Sequence, residues 1–397
     1  MLAKKYKEML SKKSVIRELS EFATARGKEI GYENVFDYSL GNPSIPVPQE
    51  FTDYLNKILT EEDPMKLHGY SPSLGIPEVK EKIAASLNKR FGMNYRATHI
   101  FMTSGAAGAI AHAVRCVTEP GDEVIAFAPF FPEYIPYINH SGAVLKTVPP
   151  KTEDFQINFD EFEKMLSDKV MAVLINTPNN PSGITYSEET LVRLAEILTA
   201  KSKEYGHEIY LISDEPYREI LFDGIKSPYP SKFYKYTLSC YSFSKSLSLP
   251  GERIGYVAVH PDCPDAETMV VMMGQISRGI GHNCPASLFQ LAVAENADLT
   301  ADLSVYETNM NILYDALCEL GFTCVRPNGT FYIFPKALEE DAVAFCKKAL
   351  KYDLILVPAD SFGCPGYFRM AYCVDTEKVK RSVKALKKFV ETEYPNR

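Results

Sequence analysis

Between about residues 100 and 260 the sequence keeps returning to one texture, a short apolar run followed by a stretch of helical periodicity. Seven such runs are predicted strands: Ile100–Thr103, Glu123–Phe127, Ala143–Val148, Val170–Asn176, Ile209–Ser213, Thr237–Ser242 and Arg253–Val259. Among the stretches between them, Ser187–Tyr205 places Leu191, Leu194, Ala195 and Leu198 at i, i+3, i+4 and i+7, one face of a helix. Strands that alternate with helices of this length imply an α/β unit with a largely parallel, buried sheet. From about residue 300 the texture changes. A helix is predicted over Val305–Leu320 with its stop at Gly321, followed by strand-like runs at Phe331–Pro335, Ile355–Pro358 and Phe368–Cys373. A last helix starts near Thr376 with Val379, Val383, Leu386 and Val390 on one face. This part reads as a smaller α+β domain. The basic residues of the last helix (Lys380, Arg381, Lys384, Lys387, Lys388) read as its solvated face.

Composition narrows the function classes. A chain of 397 residues accommodates one or two large domains, and chains of this size bury roughly three quarters of their unfolded surface. A formal net charge of −8 argues against a nucleic-acid partner, which needs a basic surface. Nine cysteines without regular spacing do not make a disulfide framework and fit free thiols in a reducing compartment. The stretch Met1 to Arg26 is rich in Lys, Glu and Arg and lacks the apolar core of a signal peptide. Nowhere do 18 apolar residues run together, so no membrane partner is expected and a cytoplasmic location is. There is no internal repeat or low-complexity tract. Seven scattered histidines show no zinc spacing, and no metal site is expected.

Five segments carry chemistry. In SFSKSLSLPGERIG, Lys245 follows an apolar strand within a loop of small residues that includes Ser242. A lysine that attacks an aldehyde must be neutral, and partial burial beside other cations lowers its pKa. Hydroxyls together with Arg253, eight residues on, make a site for a phosphate dianion. Taken alone, the segment also fits a serine-rich surface loop with a solvated lysine. In SDEPYREI, Asp214 ends an apolar run and Tyr217 follows three residues later. Ligands of open α/β sheets bind outside the carboxyl ends of strands. A carboxylate there can pair with a protonated pyridine nitrogen such as that of pyridoxal phosphate, while the tyrosine donates to the phenolate oxygen. The other reading of Asp214 is a helix N-cap.

NTPNNPSG also follows a strand, and Asn180 either points its amide at the same oxygen or belongs to a plain turn. In TSGAAGAI, Ser104, Gly105, Ala106 and Ala107 sit where a strand meets a helix and small residues let a phosphate approach free backbone amides, although tight packing explains them equally. In PFFPEY, Phe131 or Tyr134 stacks on a flat ring or joins an aromatic core.

In their order and spacing these segments resemble the class I/II aminotransferases, fold-type I enzymes that depend on pyridoxal 5′-phosphate. The resemblance runs from Gly41 to Arg369. It implies a large domain over residues 48–295 with a mixed, mainly parallel seven-stranded sheet, and a small α+β domain from residues 1–47 and 296–397. It implies a homodimer with shared active sites. Lys245 matches the lysine that holds the cofactor and moves the substrate proton. Asp214 matches the partner of the pyridine nitrogen, and Tyr217 and Asn180 match the ligands of the phenolate oxygen. Ser104, Gly105, Ala106, Ser242 and Arg253 match the phosphate cup, and Phe131 the ring that stacks on the cofactor. Tyr70 is similar to the tyrosine that reaches the phosphate of a neighbouring subunit. Arg369 matches the arginine that grips the substrate α-carboxylate, and Gly41 the backbone that closes over the substrate. Ala106 and Ala107 replace polar or glycine residues of some members, and Phe131 stands where several carry Trp or Tyr.

The substrate pair implied is an amino acid, aspartate or glutamate favoured, and a 2-oxo acid such as 2-oxoglutarate. Arg278 in SRGIGHNCPAS is similar in placement to the arginine that crosses from a partner subunit to a distal carboxylate in dicarboxylate-specific members. It also fits a surface arginine in a last helical turn. A cysteine-S-conjugate β-lyase shares the fold and every cofactor residue, and aromatic or alanine-type aminotransferases are further alternatives. A cofactor-sensing regulator would need a DNA-binding domain that the roughly 40 residues before Gly41 are too few to hold, and an acidic chain does not suit DNA. A nicotinamide dehydrogenase would need a GxGxxG turn, which is absent.

Overall fold

The computed structural model describes residue 2, residues 4–10 and residues 14–395; Met1, Ala3 and residues 11–13 of the lysine-rich start lie outside them. In chain order the strands are β1 (Phe36–Asp37), β2 (Ile100–Thr103), β3 (Glu123–Phe127), β4 (Val144–Val148), β5 (Val170–Asn176), β6 (Tyr210–Asp214), β7 (Thr237–Ser242), β8 (Gly255–Val259), β9 (Tyr332–Ile333), β10 (Leu354–Ile355), β11 (Val357–Pro358) and β12 (Phe368–Ala371). Seven of them form one sheet in the order β2-β8-β7-β6-β5-β3-β4. Only β8 runs against its neighbours, and the other pairings are parallel. This is the mixed, mainly parallel sheet of the α/β expectation.

The period of two in a strand, with both faces covered, explains why a central run such as β5 is apolar almost throughout. In β5, Ala172 and Leu174 point into a core formed with Ile110, Ala113 and Val114 of helix Gly105–Val117. Val173 and Ile175 point the other way, onto Leu191, Leu194 and Leu198 of helix Glu188–Tyr205. That helix begins where its sequence says it should, with the Ser187 hydroxyl accepting from the Thr190 amide.

The register brings functional ends together. Asn176 at the end of β5 is paired with Asp214 at the end of β6, and Asp214 with Cys240 on β7. Ser242 on β7 and Thr103 on β2 both flank Gly255, where β8 starts. Five chain segments therefore meet along one edge of the sheet, at the carboxyl ends of its parallel strands.

The smaller α+β part has a three-stranded antiparallel sheet, β11-β12-β9, and a parallel pair, β1-β10. Helices Ser304–Glu319 and Thr376–Glu393 pack over it, burying Tyr306, Leu313, Leu317, Val379, Leu386 and Phe389 in one cluster. The basic residues of the last helix are exposed, as expected for a solvated face. The N-terminal helix Val15–Ile30 joins this part. Its Ala23 packs with Val35 and Ile355, and Arg26 pairs with Asp353 at 2.7 Å.

The strands of this part are shorter than the apolar runs suggest. Ile355–Pro358 divides in two because the chain changes partner at Leu356, from β1 to β12. Arg253, expected at the start of a strand, lies outside β8 with a left-handed backbone, φ 51 and ψ 57. That turn aims its side chain back across the edge of the sheet.

Candidate active site

Above this edge lies a cavity of about 570 Å³. Gly41, Ala106, Phe131, Asn180, Asp214, Tyr217, Ser242, Lys245, Arg253 and Arg369 all line it, although they span more than 300 residues of sequence. Ser104 and Gly105 sit directly behind the wall. Arg253 Nη2 lies 3.5 Å from the Ser104 carbonyl, and a Cβ added to Gly105 would stand 2.9 Å from that same nitrogen. Gly105 has φ +78 and heads helix Gly105–Val117, so its lack of a side chain leaves the guanidinium and the first-turn amides facing one space.

Asp214 is buried and no helix follows it, which removes the capping role for this residue. Its Oδ2 accepts from the Tyr134 hydroxyl at 2.5 Å, while Oδ1 is buried without a partner. Burial pushes the acid up to about 7, with the Tyr134 bond pulling it down and Glu215 adding to the rise. Such an oxygen is costly unless a ligand donor meets it.

Lys245 lies in the single turn Phe243–Ser246, capped by the Ser242 hydroxyl, which accepts from the Ser244 amide at 3.0 Å. Its Nζ donates to the Gly41 carbonyl at 2.6 Å and stands 5.4 Å above the Phe331 ring. Burial lowers the amine to about 8; Cys373 opposes this, and the cations Arg253 and Arg369 reinforce it. An amine near 8 is partly neutral at physiological pH and can act as nucleophile or base.

Arg369, on β12, is 2% exposed and makes no ion pair among the described residues. Its Nη1 donates to Asn180 Oδ1 at 3.0 Å, Nη2 donates to the Ser39 carbonyl, and Nε is buried without a partner. The guanidinium lies 4.6 Å from the Tyr332 ring centroid and 5.1 Å from that of Phe362. A buried cation held by neutral acceptors is a site for an anion, because only an opposite charge offsets its lost hydration. Gly41 is required nearby: a Cβ there would fall 1.9 Å from the Tyr332 hydroxyl.

Tyr70 and Arg278 do not join this cavity within the chain. Tyr70 is fully exposed, and Arg278 is an exposed residue in the last turn of helix Ala266–Ile280. Their surroundings are nevertheless joined. The Ser287 hydroxyl donates to the Gly69 carbonyl at 2.8 Å, and Ser71 Oγ lies 2.9 Å from Cys284 Sγ.

Several residues of the site are not apparent from the sequence. Tyr134 holds Asp214 instead of stacking, and Phe131 alone of the two reaches the cavity wall. Asn176 braces the same corner, its amide donating to the Asp214 carbonyl at 2.9 Å and its Oδ1 accepting from the Asn180 amide at 2.6 Å. Tyr332 lies 3.1 Å from the Tyr217 hydroxyl. Ser14, just before helix Val15–Ile30, and Ile16, Arg17 and Ser20 within it form part of the wall. The run NTPNN held a signal for Asn176, since a polar residue ends an otherwise apolar strand. The others depend on tertiary placement.

Known proteins similar to this chain identify its family. The profile of the family described as aminotransferase class I and II matches residues 33–386. A crystal structure of an amino transferase from Eubacterium rectale superposes with a TM-score of 0.96 at 44% identity, covering 99% of this chain and 100% of that one. A probable aspartate/prephenate aminotransferase of Aquifex aeolicus is 28% identical, over 93% of this chain and 94% of its own. An aromatic-amino-acid aminotransferase of Thermococcus litoralis is 27% identical, over 95% and 96%. With a match across most of its length and the fold of a fold-type I enzyme, the chain belongs to the class I and II aminotransferases, a pyridoxal-phosphate-dependent family.

Proposed function

We propose that the cavity binds pyridoxal 5′-phosphate and that the enzyme moves an amino group between an amino acid, aspartate or glutamate favoured, and a 2-oxo acid such as 2-oxoglutarate. The unpartnered Asp214 Oδ1 carries the cofactor assignment: it is buried without a donor on a residue that lines the cavity with Lys245 and Phe131, and a ring N–H would satisfy it. Arg253 with the amides after Ser104 holds the phosphate, Ser242 caps the turn that presents Lys245, and Phe131 flanks the ring. Asn180 has its carbonyl oxygen engaged by Arg369, so its amide nitrogen is the atom left to donate to the phenolate oxygen, beside the Tyr217 hydroxyl.

When bound, the cofactor supplies an electron sink for the charge left on the substrate α-carbon. Lys245 Nζ, its basicity lowered by burial, would be the group that takes the proton from that carbon. Arg369 grips the α-carboxylate and so fixes which bond at the α-carbon faces Lys245. Gly41 keeps the Lys245 amine beside the substrate space by accepting its hydrogen bond.

In the same reading residues 48–295 form the cofactor-binding domain and residues 1–47 with 296–397 the small domain. The enzyme acts in the cytoplasm as a homodimer. Tyr70 and Arg278, exposed on adjoining surface segments, lie toward the partner's cavity, with Tyr70 directed to its phosphate. Exposed Met65, Val271, Met272 and Ile280 on the helices beside them give that surface the apolar character of an interface.

An absorbance spectrum of the purified enzyme tests this. A visible cofactor band that aspartate or glutamate shifts into the near-ultraviolet is the expected outcome, and Lys245→Ala should abolish the band's normal form. A band untouched by acidic amino acids but shifted by phenylalanine or alanine would transfer the substrate assignment to a neutral donor. Pyruvate released from cystathionine, with no shift by any amino donor, would make the enzyme a β-lyase. No band with added cofactor would overturn the assignment.

A further inference from the structure

Six charged residues line the cavity: Arg17, Glu133, Asp214, Lys245, Arg253 and Arg369. The proposed function employs four of them, leaving Arg17 and Glu133. These two occupy opposite ends. Glu133 lies by Tyr137, whose hydroxyl is affected by burial first and then by Glu133, Asp214 and Arg253, which sets it at the phosphate end. Arg17 lies at the other end. Its neighbour Ile16 packs on a cluster that contains Phe362 and Val357. Phe362 is the ring beneath the Arg369 guanidinium, and Val357 is the strand partner of Arg369. Arg17 makes no hydrogen bond or ion pair among the described residues, whereas Arg26 on the same helix is tied to Glu29 and Asp353. Ser14, which precedes this helix, does not cap it with its side chain either.

We propose that Arg17 is a specificity-determining residue that binds the distal carboxylate of a four- or five-carbon dicarboxylic substrate while Arg369 binds the α-carboxylate. The inference rests on the aminotransferase reading above and assigns the second anion to a residue of the same chain in place of Arg278. A guanidinium at the solvent-facing end of the cavity adds a charge-assisted bond only for substrates with a second acid group, and leaves neutral side chains against Ile16 and Leu40.

The test is calorimetric titration of the holoenzyme with two unreactive ligands, succinate and butyrate, in the parent, Arg17→Ala and Arg278→Ala. Both residues are exposed, so neither change disturbs a core. The expected result is that Arg17→Ala weakens succinate about 10- to 100-fold relative to butyrate, the range for a charge-assisted pair, whereas Arg278→Ala leaves that ratio within about threefold. An equal effect of Arg17→Ala on both ligands, or a selective loss confined to Arg278→Ala, would overturn the assignment to Arg17 and leave the aminotransferase reading standing. Equal affinity of the parent for the two ligands would overturn the dicarboxylate class itself. Failure of the cofactor reading shows separately, as the absent absorbance band.

Discussion

Asp214 ends β6 with one carboxylate oxygen on Tyr134 and the other buried without a partner, and its acidity records that environment. Burial raises it from 3.8 to about 7 in the protein without cofactor. Between roughly pH 4 and pH 7 the folded chain keeps a proton that the unfolded chain has released, so stability falls as pH rises through that window. The loss is complete above 7. Cofactor-free Asp214→Asn should therefore melt higher than the parent at pH 8, with the difference vanishing near pH 4, because Asn still accepts from Tyr134. A difference that stays constant across this range in thermal melts would show that Asp214 ionises freely. With cofactor the substitution should act in the opposite direction, removing the charge that holds the ring nitrogen protonated. Tyr134 shows where reading residues from sequence stops. The PFFPEY run presents two aromatic rings, and nothing in it says that one contributes its face and the other its hydroxyl.

Among the elements of the site, the turn after β6 carries Tyr217 away from Asp214. It is fastened by a buried pair, Glu215 and Arg218, with Arg218 Nε donating to Glu215 Oε2 at 2.9 Å and Nη1 to the Tyr256 hydroxyl at 3.2 Å. The guanidinium is also covered by Tyr241 at 4.4 Å and Tyr229 at 5.2 Å. Removing one partner of a buried pair leaves an uncompensated charge. Arg218→Leu is expected to lower unfolding stability by about 3–5 kcal/mol, read from urea titrations, and a loss below about 1 kcal/mol would mean that the pair is not load-sharing in this turn. The central strands of the large sheet were legible because they are buried on both faces and so largely apolar, as in β5 and β8. The edge strand β4 is half-exposed and was marked only by its alternation with helices. The strands of the small part were overdrawn because their apolar side chains serve loops and helices as well as pairing. Leu356 and Phe334 are fully buried without belonging to any strand.

For the whole molecule, the proposed dimer ties oligomeric state to cofactor binding. A Val271→Asp/Met272→Asp double variant should sediment at the chain mass of 44.5 kDa, with the parent at twice that value, and should lose cofactor affinity. A parent that is itself monomeric with full cofactor affinity would sink the shared site, and with it the role of Tyr70. The family and its sheet could be inferred from sequence because local motifs carry them; the N-terminal wall could not, since Arg17 and Arg369 approach one cavity from opposite ends of the chain.

That last feature also bears on how the protein is made. Phe36 pairs with Leu354, and Arg26 with Asp353, so the N-terminal helix has no seat until the final sixth of the chain exists. During vectorial synthesis the large sheet has all its strands once Val259 has emerged, while the substrate end still lacks Arg369 and the surface that supports Ile16. A nascent chain is thus able to form the proposed phosphate-binding edge well before the strand that carries Arg369 exists, and in that reading the grip on a substrate is the later acquisition.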